Sequence, residues 1–250
     1  MIQAMIFDLD GTLVQTERLK AISYARAAIE LCPENLAEEE VIESFKEVVG
    51  LSRREVAMEL VERFGLAEVA RTHMAEFGVD TPWQAFVQVR LSIYEQMLAD
   101  PEVLLNNQWP HNIALLKEAR RTGCRVGLAT MSHCSQVRRV LEILNLADTF
   151  DFVASRDDVE RSKPDPEIYL LVARELGVTP AACLVIEDSP SGVKAALAAG
   201  MDCIAVTTPF THEAIHAQKL LPESHIVDDP GQLPAAVAHI VAHQRKRRKL

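Results

Sequence analysis

No run of about 18 apolar residues, the length a bilayer-spanning helix needs, occurs in this chain of 250 residues. Nor does it open with a basic segment, an apolar stretch and a small-residue cleavage site. It passes at once into a strand-like run, and the expectation is a cytoplasmic protein that needs no membrane. The five cysteines, Cys32, Cys124, Cys134, Cys183 and Cys203, contain no CxxC pair. Three of them sit inside apolar runs, which argues for buried reduced thiols over disulfides or a zinc knuckle. Positive charge is scarce as well. A formal net charge of −10 argues against a nucleic-acid surface, because phosphate backbones reward the opposite sign. The local exception is Arg245, Lys246, Arg247, Arg248 and Lys249, read as a solvated, disordered tail instead of an anion-binding arm. Internal repeats and low-complexity segments are missing too. With 48% hydrophobic side chains, the chain can bury the core of one large domain or of a domain carrying an insertion.

Short apolar runs punctuate the sequence: Ala4 to Phe7, Cys124 to Thr130, Phe152 to Ala154, Ala181 to Ile186, Met201 to Thr207 and His225 to Val227. Continuous apolar runs of this kind mark strands buried on both faces of a parallel sheet. Helical patterns such as Gln136 to Leu144 and Glu167 to Leu176 separate them. The alternation predicts an α/β fold with a doubly wound, right-handed parallel sheet. Between the first two runs nothing resembles a strand. Val41, Ile42, Phe45, Val48 and Val49 recur at helical spacing, as do Val56, Leu60, Val61 and Phe64, and Thr81-Pro82 opens a third pattern. Residues 1–14 and 105–250 are therefore expected to form the core, and residues 15–104 an inserted all-helical cap acting as a lid.

The opening MIQAMIFDLDGT places Asp8 and Asp10 two residues apart at the end of the first run. Residues i and i+2 of a strand share a face, so both carboxylates can point into the crevice at the strand's carboxyl end, where such sheets bind ligands. Mutual repulsion leaves three readings: a protonated acid beside an ionised nucleophile, a magnesium site, or a mere turn cap. Other strand ends supply matching chemistry. Thr130 ends the second run and can donate to a phosphate oxygen, while Ser132 is expected to cap the next helix. Lys163 stands in Ser-Lys-Pro-Asp-Pro, stiffened by Pro164 and Pro166. Glu187 and Asp188 end another buried run and supply oxygen ligands for a hard cation.

FDLDGT, Thr130, Lys163 in SKPDP and the stretch IEDSPSGVKAALAAGM, in this order, resemble the four motifs of the haloacid dehalogenase superfamily. The resemblance spans the chain except its tail, and the helical insertion is most similar to the branch holding β-phosphoglucomutase, phosphoglycolate phosphatase and related sugar-phosphate phosphatases. It implies a Rossmann-like core. It further implies Asp8 as a nucleophile that takes the phosphoryl group and Asp10 as the acid and base. Thr130 and Lys163 would hold the transferring oxygens, and Mg²⁺ would be bound by Asp8, the Asp10 carbonyl, Glu187 and Asp188. An acid at Asp10 favours phosphate chemistry over carbon–halogen cleavage. The expected partner is a small phosphomonoester, with no nucleic acid or membrane, and the protein is expected as a monomer.

Three cap residues are candidate substrate contacts. Arg53, in Gly50-Leu51-Ser52-Arg53, matches a cap-loop Arg of that branch, although Ser52 and Glu55 also fit a helix-starting capping box. Thr16 matches a hinge residue, next to Gln15 where an acid is commoner. Lys20 stands where the mutases of the branch carry a gating His, and Gln96 where they carry a cap Lys. With an unperturbed pKa of about 10.4 against about 6.5, a lysine cannot gate as a histidine does. Phosphate release is therefore expected, and a β-phosphoglucomutase-like mutase is the alternative. Lastly, His212-Glu213-Ala214-Ile215-His216 matches HExxH, the zinc-protease helix signature. No third ligand follows at a suitable spacing, so an ordinary amphipathic surface helix is expected.

Overall fold

The computed structural model describes residues 2–32, 36–49 and 51–247, with the side chains of 245–247 left aside. The chain divides into two compact units, Met1–Gln15 with Leu104–Leu250, and Thr16–Val103.

The first unit is built on six parallel strands: β1 (Ala4–Phe7), β2 (Arg125–Ala129), β3 (Phe152–Ala154), β4 (Cys183–Glu187), β5 (Asp202–Val206) and β6 (Ile226–Val227), in the order β3-β2-β1-β4-β5-β6. The order reverses direction beside β1. That reversal makes a crevice at the carboxyl ends of β1 and its neighbours. Every residue of β1 and β4 is buried, as unbroken apolar runs require, and each large side chain such as Phe7 or Ile186 contributes about 1.5–3 kcal/mol by leaving water. Five of the six apolar runs read from the sequence contain one of these strands whole, and the run Ala181 to Ile186 holds all of β4 except its last residue, Glu187.

The second unit is helical: α1 (Thr16–Leu31), α2 (Glu38–Val48), α3 (Arg53–Arg63), α4 (Ala67–Thr72), α5 (Met74–Phe77) and α6 (Pro82–Met97). α1 packs against α2 and α6, with Ala21, Ala25 and Ala28 fully buried so that backbones approach closely. Pro82 occupies the first turn of α6, where its missing N–H costs nothing. Arg90 is buried here, its guanidinium 4.9 and 4.4 Å from the ring centres of Tyr24 and Tyr94.

The short α7 (Pro101–Leu105) precedes the helices that flank the sheet: α8 (Pro110–Arg121), α9 (Cys134–Ile143), α10 (Glu167–Glu175), α11 (Pro190–Ala198), α12 (His212–Gln218) and α13 (Leu233–Arg247). Two expectations need correction. The basic tail is not wholly irregular, because the backbone of α13 is helical to Arg247, while Arg248 and Lys249 lie outside the described residues. Nor are the cysteines uniformly buried: all five are free, Cys183 and Cys203 are buried, and Cys134, in the first turn of α9, is exposed. No described helix is long and apolar enough to cross a membrane.

α8 is tied to the loop after β1 by a buried side chain. Asn112 Nδ2 donates to the Thr12 carbonyl at 2.6 Å, across 100 residues of sequence. Asn112→Ala removes that donor and leaves a buried carbonyl without it, so urea denaturation should show a loss of about 1–3 kcal/mol. A midpoint unchanged from wild type would show that the bond adds nothing.

Candidate active site

Strand register assembles the site. Phe7 pairs with Leu128 on one side and Ile186 on the other, so the next residues, Asp8, Ala129 and Glu187, come level at the ends of three adjacent strands. Lys163 reaches all three. Its Nζ donates to Asp8 Oδ1 at 2.6 Å, to Glu187 Oε1 at 2.6 Å and to the Ala129 carbonyl at 2.9 Å. Burial alone would lower the ammonium's pKa, but the two carboxylates in contact prevail and hold it above its usual value. The ring of Tyr169 lies 5.0 Å from Nζ.

Glu187 accepts hydrogen bonds at both oxygens. Oε1 also accepts the Tyr169 hydroxyl at 2.8 Å. Oε2 accepts the Asp188 and Ser189 amides at 2.9 and 3.0 Å and the Ser189 hydroxyl at 3.0 Å. Burial pushes its pKa up, yet Lys163 and these donors outweigh burial and keep it low. Glycine makes room for both acids of this pair. A Cβ on Gly192 would sit 1.7 Å from Glu187 Oε1. On Gly11, where φ is +80°, it would sit 2.1 Å from Asp188 Oδ2. The Thr12 hydroxyl donates to Asp188 Oδ1 at 3.3 Å. The Gly-Thr after the two aspartates thus serves the second acidic pair as well as the turn.

Asp10 is held differently. Its Oδ2 accepts Ser132 Oγ at 2.5 Å and the Thr130 hydroxyl at 3.3 Å, and Thr130 Oγ1 accepts the Ser132 amide at 3.1 Å. Ser132 was expected to cap α9. Instead His133 is the cap residue, without a side-chain cap bond, and Asp157 Oδ2 accepts the Cys134 amide at 2.7 Å. Ser132 is consequently released to orient Asp10.

Asp8, Glu187 and Asp188 are all buried and offer oxygens within 4.8 Å of one another. Two of these carboxylates, Asp8 and Glu187, contact the Lys163 ammonium, and the charge of Asp10 also acts on Asp8. Burial pushes the Asp8 carboxyl up to about 8; Lys163 opposes the rise, and Glu187 and Asp10 add to it. A divalent cation would reverse that balance and keep Asp8 ionised, and an all-oxygen donor set suits a hard ion. The residues present therefore fit a metal.

Thr16, Lys20 and Arg53 lie in the helical unit. Thr16 begins α1 and is buried, Lys20 is half-buried, and Arg53, the first residue of α3, is exposed. The capping box is present: Ser52 Oγ accepts the Glu55 amide, and Glu55 accepts the Ser52 amide at 2.9 Å. Gly50 lies outside the described residues. The charges of Arg53 and Lys20 both act on Tyr24, and that of Arg53 also on Arg90.

A family model for haloacid dehalogenase-like hydrolases matches residues 2–200. The chain belongs to that family. Hexitol phosphatase B of Escherichia coli (strain K12) is 33% identical to this hydrolase over 216 residues, 83% of this chain and 85% of that protein. Phosphoglycolate phosphatase of Salmonella paratyphi A is 33% identical over 221 residues, 86% and 85% of the two chains. The fold is shared with a haloacid dehalogenase family hydrolase from Deinococcus radiodurans with bound phosphate and sodium, at a TM-score of 0.73 and 22% identity over 95% of this chain and 96% of that one. It is shared too with β-phosphoglucomutase from Clostridium difficile, at a TM-score of 0.64 and 24% identity over 96% and 100%. This hydrolase is an enzyme whose sequence relatives include phosphatases, and it shares its fold with β-phosphoglucomutase.

Sequence reasoning missed Ser132, Tyr169 and Gly192 as parts of the site. Gly192 offers a direct check. A methyl group there must displace the Glu187 carboxylate and with it Lys163, and a shift of about 1 Å can cost about 100-fold in rate. Gly192→Ala should lose turnover on that scale while keeping its circular dichroism spectrum, and near-normal turnover would show that Glu187 does not set the site.

Proposed function

We propose that this hydrolase is a Mg²⁺-dependent phosphatase acting on a small sugar phosphate or similar monoester through an aspartyl phosphate on Asp8. The observation that carries the reading is the Lys163 contact with Asp8 and Glu187 at the ends of β1 and β4. It fixes a buried carboxylate nucleophile beside a cationic group, in a crevice suited to a phosphoryl group. Phosphoryl transfer asks a protein chiefly for positioning and charge stabilisation.

In the first step an Asp8 oxygen attacks phosphorus, the bond to the substrate's bridging oxygen breaks, and Asp10 protonates that oxygen as the alcohol leaves. In the second, Asp10, now a carboxylate, takes a proton from water, whose oxygen attacks phosphorus. Inorganic phosphate departs and Asp8 is regenerated. Ser132 keeps Asp10 oriented for both transfers. The Thr130 hydroxyl can swing to donate to the transferring oxygens, and the Lys163 ammonium places its positive charge where negative charge accumulates. Asp8, the Asp10 carbonyl, Glu187 and Asp188 would hold Mg²⁺, which supplies charge neutralisation at those oxygens.

The helical unit is the substrate-selecting cap in this reading. Arg90 lies against Tyr24, and the charges of Lys20 and Arg53 also act on it, a composition that favours a second anionic or hydroxyl-rich group on the substrate, with Thr16 at the start of α1 as its hinge. Named phosphatase relatives support a small phosphorylated substrate. Lys20 in place of a gating histidine supports hydrolysis over mutase chemistry, since nothing of suitable pKa then restrains Asp10 from activating water.

Asp8→Asn should abolish turnover of an aryl phosphate, and chelation should abolish it reversibly, with Mg²⁺ restoring it. Near-normal turnover by Asp8→Asn would overturn the covalent mechanism. Supplied with β-glucose 1-phosphate, a trace of glucose 1,6-bisphosphate and Mg²⁺, the protein should release inorganic phosphate. Glucose 6-phosphate forming much faster than phosphate would make it a mutase.

A further inference from the structure

A second group of metal-ligating side chains converges at the far side of the sheet's carboxyl edge, on α12 and after β6. α12 turns Ile215, 3% exposed, into the core, so His212 and His216, four residues apart, lie together on its outer face with ring centres 4.6 Å apart. The sequence reading found no third ligand for this HExxH match. The structure brings one from outside the helix: Asp228, the first residue after β6, with ligand atoms of all three residues within 4.8 Å of one another.

The geometry is close to that of a coordination sphere. Asp228 Oδ1 lies 3.0 Å from His216 Nε2 and 3.7 Å from His212 Nε2. In a tetrahedral zinc site with bonds of about 2.0–2.1 Å, neighbouring ligand atoms stand about 3.3 Å apart, between those two values. The surroundings also resemble those of a metal ligand set. Thr207 Oγ1 donates to Asp228 Oδ1 at 2.8 Å, orienting the carboxylate, and His216 turns its other ring nitrogen, Nδ1, toward Glu223 Oε2 at 3.8 Å. A carboxylate behind a ligating imidazole is the usual means of fixing its ring. An ion pair between His216 and Asp228 would need one histidine only. It leaves the approach of His212 to the same carboxylate without a purpose.

We propose that His212, His216 and Asp228 form a binding site for a divalent cation of the zinc class, held by two imidazole nitrogens and one carboxylate oxygen. Side-chain exposures of 52%, 29% and 49% leave the outer coordination positions to water. Nitrogen donors set this site apart from the all-oxygen cluster of Asp8, Glu187 and Asp188, because imidazole favours zinc, cobalt and nickel whereas carboxylates alone favour magnesium. The cation would pin α12, which follows β5, to the end of β6. It acts on stability and not on the phosphoryl group, and the assignment stands independently of the proposed phosphatase reaction.

The full chain, with Mg²⁺ in large excess to occupy the carboxylate cluster, is titrated with Co²⁺ while visible absorbance is followed, and with Zn²⁺ by calorimetry. About one equivalent should bind per chain, Zn²⁺ should raise Tm, and His212→Gln and Asp228→Asn should each weaken binding by more than about tenfold. Turnover of an aryl phosphate by these variants with Mg²⁺ should match wild type, which also certifies that they fold. A control, His239→Gln, alters the separate group of His225, His239 and His243, whose rings are 6.3 and 6.4 Å apart, and should bind as wild type does. Absence of Co²⁺ and Zn²⁺ binding under excess Mg²⁺ would overturn the assignment. So would binding undiminished in both His212→Gln and Asp228→Asn, or binding lost in His239→Gln.

Discussion

One ammonium group holds the chemistry of this protein together. Lys163 belongs to neither β1, β2 nor β4, yet it bonds to the end of each, through Asp8, the Ala129 carbonyl and Glu187. Burying a charge in this way costs several kcal/mol, and only paired, hydrogen-bonded partners make it tolerable. The arrangement offsets that cost twice over with carboxylates. It then overshoots, since Asp10 and Asp188 add two further acids. A hard cation would answer the remaining imbalance, so an attraction of the site for metal and its attraction for lysine would have one origin.

What could be read from the sequence was what local pattern determines. β1 and β4 announce themselves as apolar runs because both faces are covered, and the acids that close them follow from counting along those runs. Contacts between distant segments left no such mark. Ser132 looked like a helix cap by the ordinary local rule, and its turn toward Asp10 depends on where the loop after β1 passes, 122 residues earlier. Asn112 bonds to Thr12 across 100 residues of sequence and Tyr169 to Glu187 across 18. Asp228 escaped notice for a related reason. A helix motif searched along its own axis cannot reveal a ligand delivered by a neighbouring strand.

The carboxyl edge of the sheet carries two clusters of different chemical character. Near the reversal at β1 and β4 the donors are oxygens, buried, arranged around a lysine. At β5 and β6 they are mostly imidazole nitrogens, open to water. A parallel sheet gathers its loops along one edge and leaves each strand end free to bear its own residues. On the proposed assignments, hard and borderline ions would be sorted by position, without competition for the same side chains.

The pairing Phe7 with Leu128 and Ile186 has a further consequence. Strand side chains alternate with a period of two, so register is all or nothing. Asp8 faces Lys163 only while the number of residues in β1 keeps its phase with two neighbours at once. The loops can lengthen over evolutionary time and the helical unit can be remodelled, but this central strand admits no insertion or deletion. The site is located by an integer, and selection can adjust nearly everything about the molecule except that count.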